Sequence, residues 1–315
     1  MPVRHGGPGP ATYRDVAVRQ PNPTRPADNG PVKIQLLSDL HLETQPHVQV
    51  RPLPGADVLA HAGGIGSYQP GSPLPGNDFG LERFSPHRGW PVPVLFVPGN
   101  HEYDNLDYDS AHARLRETCA RLGITWLERA TQVLQGVRFV GTTLWSDFDA
   151  LAAQAPDAAQ LKQREKAFRA ANFYLSKTAA TLRGEPLLAE GWRVLGLQSQ
   201  TWLREALAEP FDGPTAVVTH FAPTLRSADP RYGLTPGTAG FCNALDDLLP
   251  LADLWMHGHL HCCNDYQVGR CRVVANPLGY ERKGEHAQFR PDLLIELNWD
   301  ERAAATTAQH ALSSC

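Results

Sequence analysis

No run of residues in this 315-residue chain is long and apolar enough to cross a bilayer, and no apolar core follows the N-terminus as in a secretory leader. A CxxC pair is also missing, which removes the usual thiolate zinc site. The six cysteines, Cys119, Cys242, Cys262, Cys263, Cys271 and Cys315, are not spaced like a disulfide scaffold, and a chain of this length does not need one. They are expected as free thiols in a reducing cytoplasm. Blocks of one charge sign are absent, and the formal net charge is −4. Neither nucleic acid nor a membrane is therefore expected as a partner. An anionic substrate would have to be attracted locally, for instance by metal ions.

What is present is ordinary globular material, 42% hydrophobic and 20% charged. Residues 1–31 hold seven prolines and little apolar pattern, and read as a flexible leader. Residues 32–315 read as a single domain, with the last ~15 residues a loose tail. Short aliphatic runs at Val32 to Leu37, Ala56 to Ala60, Val92 to Val97, Thr215 to Thr219 and Asp253 to Met256 read as buried strands. A helix is expected from a cap at Asp109 or Ser110, with Ala111, Leu115, Cys119 and Leu122 on one face and Gly123 as its stop. Two more are expected over residues 157–180 and around Trp202 to Leu207. Residues 132–145 and 271–297 suggest strands joined by tight turns such as Gln135-Gly136, so mixed sheets fit better than a purely parallel one. The Pro- and Gly-rich segment from Gly66 to Pro91 reads as one long loop beside the site.

Five clusters each follow one of these apolar runs: Asp39-Leu40-His41, Gly63-Gly64, Gly99-Asn100-His101-Glu102, His220, and Gly258-His259-Leu260-His261. Ligands of α/β folds bind outside the carboxyl ends of strands, where residues distant in sequence meet. Asp39 and His41, like His259 and His261, are two apart and would point to one side of an extended segment. A carboxylate, an amide oxygen and several imidazoles suit Mn, Fe or Zn. Singly, each cluster has an ordinary explanation as a turn, a core histidine or a solvated loop. Five in fixed order at strand ends do not.

The series resembles the calcineurin-like metallophosphoesterase family, whose pattern runs D-x-H, G-D, G-N-H-[DE], a single His, then G-H-x-H. Asp253-Leu254-Trp255 and Asn276-Pro277-Leu278-Gly279-Tyr280 also look like bacterial members. The resemblance spans about residues 32 to 298. It implies a four-layer α/β/β/α sandwich, two mostly mixed β-sheets flanked by helices. It further implies a hydrolase of phosphoester bonds, mono- or diester, acting on a small phosphorylated substrate through a metal-bound hydroxide. Asp39, His41 and His261 would bind one metal, and Asn100, His220 and His259 the other. His101 would act at the leaving-group oxygen. Glu102 would either orient His101 or stand solvated.

One motif departs from the family. Where members carry an Asp that bridges both metals, this chain has Gly64. Two divalent ions so close together repel strongly, and bridging anions hold them. The expectation is an impaired or one-metal site. His61 is expected to face away, and Glu43, Asp57 and Asp147 are conceivable substitutes. The competing reading is an inactive pseudo-phosphoesterase that serves as a binding or interaction module. Trp145, Phe148, Arg226 and Tyr280 are candidate walls of the pocket.

Overall fold

The structure is a computed structural model and describes residues 30–152 and 155–298. The expected leader lies outside those residues apart from its last two, as does the expected tail. The strands of the first half are β1 (Val32–Leu37), β2 (Val58–Ala62), β3 (Val94–Val97), β4 (Thr125–Trp126), β5 (Ala130–Leu134) and β6 (Val137–Thr142). Then come the short pair β7 (Thr181–Leu182) and β8 (Glu185–Pro186), followed by β9 (Thr215–Thr219), β10 (Leu254–His257), β11 (Asn264–Val268), β12 (Cys271–Ala275) and β13 (Leu294–Leu297). The helices are α1 (Tyr108–Leu122), α2 (Asp157–Thr178) and α3 (Ala189–Ala208).

Two large sheets dominate. One has the order β13-β1-β2-β3-β4, the other β11-β12-β10-β9-β6-β5. In the first, β1 to β4 run parallel and β13 closes the edge antiparallel. In the second, β12, β10, β9 and β6 are parallel, with antiparallel β11 and β5 on the edges. Parallel strands buried on both faces should read as unbroken apolar runs, and these do.

Side chains alternate between faces. Val32, Ile34 and Leu36 of β1 meet Ala216 and Val218 of β9, Leu254 and Met256 of β10 and Phe139 of β6 in the core between the sheets. On the outer faces, Leu59 and Phe96 pack with Leu115 and Cys119 of α1, while Val140, Val217 and Trp255 pack with Leu203 and Leu207 of α3. Each fully buried Val, Leu, Ile, Phe or Met among them contributes roughly 1.5–3 kcal/mol. The result is two mixed sheets with helices outside, as the resemblance implied.

Local chemistry explains the boundaries. α1 is capped by Asp107, two residues before Asp109, because its carboxylate accepts from Ser110 N. It ends as expected at Gly123, which adopts φ 70°. The segment Gly66 to Pro91 is not one open loop. It contains 3₁₀ turns at Leu81–Phe84 and Pro86–Arg88, pinned by Ser85 Oγ donating to Leu122 O and by the Arg114 guanidinium lying over Tyr68 and Phe79. β11 escaped the sequence pattern because it is a polar edge strand, Asn-Asp-Tyr-Gln-Val.

Candidate metal centre

All five clusters sit just past the carboxyl ends of parallel strands: β1, β2, β3, β9 and β10. The local backbone is not extended as expected. Asp39 (φ 53°), His41 (φ 46°), His259 (φ 71°) and His261 (φ 50°) are all left-handed. Such conformations cost about 1–2 kcal/mol for a residue with a Cβ, and they persist where surrounding bonds over-determine them. Here Asp39 N donates to Gly63 O (2.9 Å) and His41 N to Gly64 O (3.1 Å), lacing the β1 loop to the β2 loop. The β10 loop is tied in by His259 N donating to Asp39 Oδ2 (2.9 Å).

Asp39, His41 and His261 present ligand atoms that all lie within 4.8 Å of one another. Their tautomers are fixed from outside. His41 Nδ1 faces Glu43 (3.1 Å) and His261 Nδ1 faces Glu285 (2.6 Å), so both Nδ1 atoms carry protons. The two Nε2 atoms then face each other at 3.0 Å. Only a proton or a metal cation can sit between two such nitrogens. Asp39 Oδ1 is buried and stands 3.5 Å from His261 Nε2. This donor set fits a divalent cation.

The electrostatics agree. Burial alone would raise the Asp39 carboxyl, but the bond from His261 and the neighbouring imidazoles hold it well below the usual carboxylate range. Burial pushes His41 down to about 4. It would lower His261 too, but Asp39 and Glu285 outweigh it and raise that imidazole to about 9. A proton therefore competes with metal for His261 at every pH below its raised value. Metal affinity is expected to rise roughly tenfold per pH unit up to about 9, with about one proton released per ion bound. Calorimetry in buffers of different ionisation enthalpy measures that proton. Replacing Glu285 by Gln removes the anchor of His261 and should weaken metal binding about 10- to 100-fold.

A second group lies beside the first. His220 Nδ1 donates to Ala62 O (2.7 Å), which leaves Nε2 as a lone pair 2.8 Å from Asn100 Oδ1. The His259 ring is 4.9 Å from that of His220, and its Nε2 is buried with no partner among the described residues. Burial drives both imidazoles down, so both are neutral. This group contains no carboxylate.

Gly64 lies against Asp39. A Cβ there would come within 2.9 Å of Asp39 Cα and Oδ1, so a side chain at this position would project at the Asp39 carboxylate. None of the conceivable substitutes fills the role. Glu43 is engaged by His41, Asp57 accepts from Lys33 N (2.9 Å) at the far end of β2, and Asp147 accepts from Gln200 (2.8 Å). His61 faces away as expected, edge-on to Phe84 at 4.3 Å.

Glu102 neither orients His101 nor stands solvated. It is fully buried and accepts from the backbone N–H of Gly64, Ile65, Gly66 and Gly99 at 2.6 to 3.4 Å, joining the β2 and β3 loops. Burial raises its carboxyl to about 7 against the pull of those donors. In Glu102→Gln an amino group would face donors, and a loss of about 1–3 kcal/mol is expected in urea unfolding. His101 is oriented instead by Asp104, whose Oδ2 lies 2.6 Å from Nδ1. Burial opposes the imidazolium, but Asp104 prevails by charge and hydrogen bond, and His101 rises to about 9.

Of the expected walls, only Tyr280 is seen against the donor groups, its ring stacked on His41 at 4.2 Å. Trp145 packs on Trp192 and Phe148 on Phe168 in the core, and Arg226 pairs with Asp246. Asp104 and Glu285 were missed. A carboxylate three residues after His101, on a 3₁₀ turn that brings i and i+3 together, was a usable signal for Asp104. For Glu285 the sequence offers none.

Buried imidazoles and a carboxylate, gathered where strands of two facing sheets end, make a site that could hold a metal ion. The family model of the calcineurin-like phosphoesterases matches residues 32–263, and the chain belongs to that family. A curated relative, "Uncharacterized protein L509" of Acanthamoeba polyphaga mimivirus, is 23% identical over 219 residues, 65% of this chain and 74% of that protein. Among solved structures, the phosphopantetheinyl hydrolase PptH of Mycobacterium tuberculosis shares the fold with a TM-score of 0.61. Its identity is 20%, covering 85% of this chain and 96% of that one.

Proposed function

We propose that this protein hydrolyses phosphoester bonds of a small phosphorylated substrate, mono- or diester, with one tightly held metal and one weakly held. The observation that carries this reading is the approach of His41 Nε2 and His261 Nε2 to 3.0 Å beside Asp39, with a carboxylate behind each ring. Asp39, His41 and His261 would hold the tight ion. Asn100, His220 and His259 would hold the weak one, since neutral ligands alone offset little cation charge and Gly64 supplies no bridging carboxylate. A bound Mn, Fe or Zn ion would neutralise phosphoryl charge and make water more acidic. His101, kept protonated by Asp104, would give the Nε2 proton to the departing oxygen. The five described cysteines form no disulfide, in keeping with a cytoplasmic setting, and no described helix is long and apolar enough to cross a membrane.

The test is turnover of a nitrophenyl phosphodiester and monoester after loading with Mn, Fe or Zn. Slow hydrolysis that vanishes on chelation and in Asp39→Asn supports the reading. The position of Gly64 favours a second reading, a phosphate-binding module without chemistry. Full metal loading with no turnover of either ester would establish it.

A further inference from the structure

Tyr280 is tied down through its backbone and stands close to His101. Its segment is bolted to the end of β1: Pro277 bridges Ser38, Leu278 N donates to Ser38 O (3.1 Å) and Gly279 N to Asp39 O (3.0 Å). Tyr280 N donates to Glu285 Oε2 (2.9 Å), the same oxygen that binds His261. The ring lies on His41 with 23° between planes, and Lys283 Nζ sits 4.5 Å from its centroid. The hydroxyl reaches His101 Nε2 at 3.5 Å and has no other partner among the described residues. Both residues are partly exposed, whereas Asp39, His41 and His220 are wholly buried.

Two donor atoms 3.5 Å apart can both stand within about 2.8 Å of a single oxygen. We infer that Tyr280 is a second leaving-group residue: its O–H and His101 Nε2–H converge on the oxygen that departs from phosphorus. This rests on the phosphoester reading above. As the P–O bond breaks, its electron pair goes to the leaving oxygen, which takes the His101 proton. A water molecule supplies the oxygen that phosphorus gains, and the proton that water loses balances the one His101 gave up. Tyr280 stays protonated throughout and contributes a hydrogen bond that strengthens as negative charge develops on the departing oxygen. The aid matters most for poor leaving groups, which build the most charge. The site is thereby suited to esters of alcohols rather than to activated esters or anhydrides.

Tyr280→Phe keeps the ring against His41 and deletes only the hydroxyl. With metal-loaded protein, kcat on an alkyl phosphoester is expected to fall roughly 10- to 100-fold, against at most about threefold on the nitrophenyl ester. Metal content should not change. Inorganic phosphate, whose fourth oxygen takes the leaving-group place, should bind several-fold more weakly by calorimetry. Equal losses on the two esters would mean that the tyrosine only supports His41, and would overturn the inference. So would an unchanged rate on the alkyl ester or unchanged phosphate affinity. If the native protein hydrolyses neither ester, the phosphoester reading fails and this inference falls with it, a result distinct from any pattern confined to the variant.

Discussion

Gly64→Asp should take the tightly bound metal from about one equivalent per chain to about two, and raise phosphoester turnover by roughly 100-fold or more. The physical reason is charge. Asn100, His220 and His259 are all neutral, and the nearest carboxylate, Asp39, is already drawn to His261 and to His259 N. A carboxylate at position 64 would project at Asp39 and could be shared by both ligand groups. The substitution also has an opposing effect. Position 64 has φ 70°, and the new Cβ would lie 2.9 Å from Asp39 Cα, so the backbone must shift. Asp tolerates the left-handed region better than most residues, and a loss of about 1–2 kcal/mol is expected in the metal-free variant. Added metal should reverse the order, because ligands that bind only the folded state stabilise it by mass action. A variant that is less stable without metal and more stable with it, and that holds two ions, would show the family mechanism intact except at one position.

Removing the acid should be equally decisive in the other direction. In His101→Asn the departing oxygen has no proton donor, and kcat on an alkyl ester is expected to fall about 10²- to 10⁴-fold. Asp104→Asn should give a smaller loss and a change in pH profile. Asp104 is the group that overcomes burial and lifts the His101 imidazole to about 9. The acid is active only below that value, so the native rate should decline as pH rises through it. Without Asp104 the decline should begin at lower pH. Rate profiles of the two proteins on one substrate measure the shift. Identical profiles would mean that His101 acts only as a fixed hydrogen-bond donor.

Much of this arrangement was legible because it depends on local pattern. The runs Val32 to Leu37 and Thr215 to Thr219 are strands over the residues expected, since central parallel strands are apolar on both faces. Every candidate metal residue lies just past a strand end. The route was misjudged: Asp39 and His41 converge through two left-handed residues, not along an extended segment, and no local propensity announces that. Glu102 was misread for a similar reason. Its position beside His101 suggested a partner, but its four donors come from glycine-rich loops folded over it, Gly64 to Gly66 and Gly99. Glu285 is 24 residues from His261 in sequence and comes to it only because the Tyr280 segment is pinned to β1. Contacts made by tertiary closure leave no periodic mark in the chain.

The account turns on a tight ion held by Asp39, His41 and His261, with a weaker position at Asn100, His220 and His259. Calorimetric titration of native protein, His261→Ala and His259→Ala with Zn or Mn addresses it directly. The native chain should take up about one ion tightly with release of about one proton, His261→Ala should lose that uptake, and His259→Ala should keep it. Two equally tight ions in the native chain, or loss of tight binding in His259→Ala, would contradict the account.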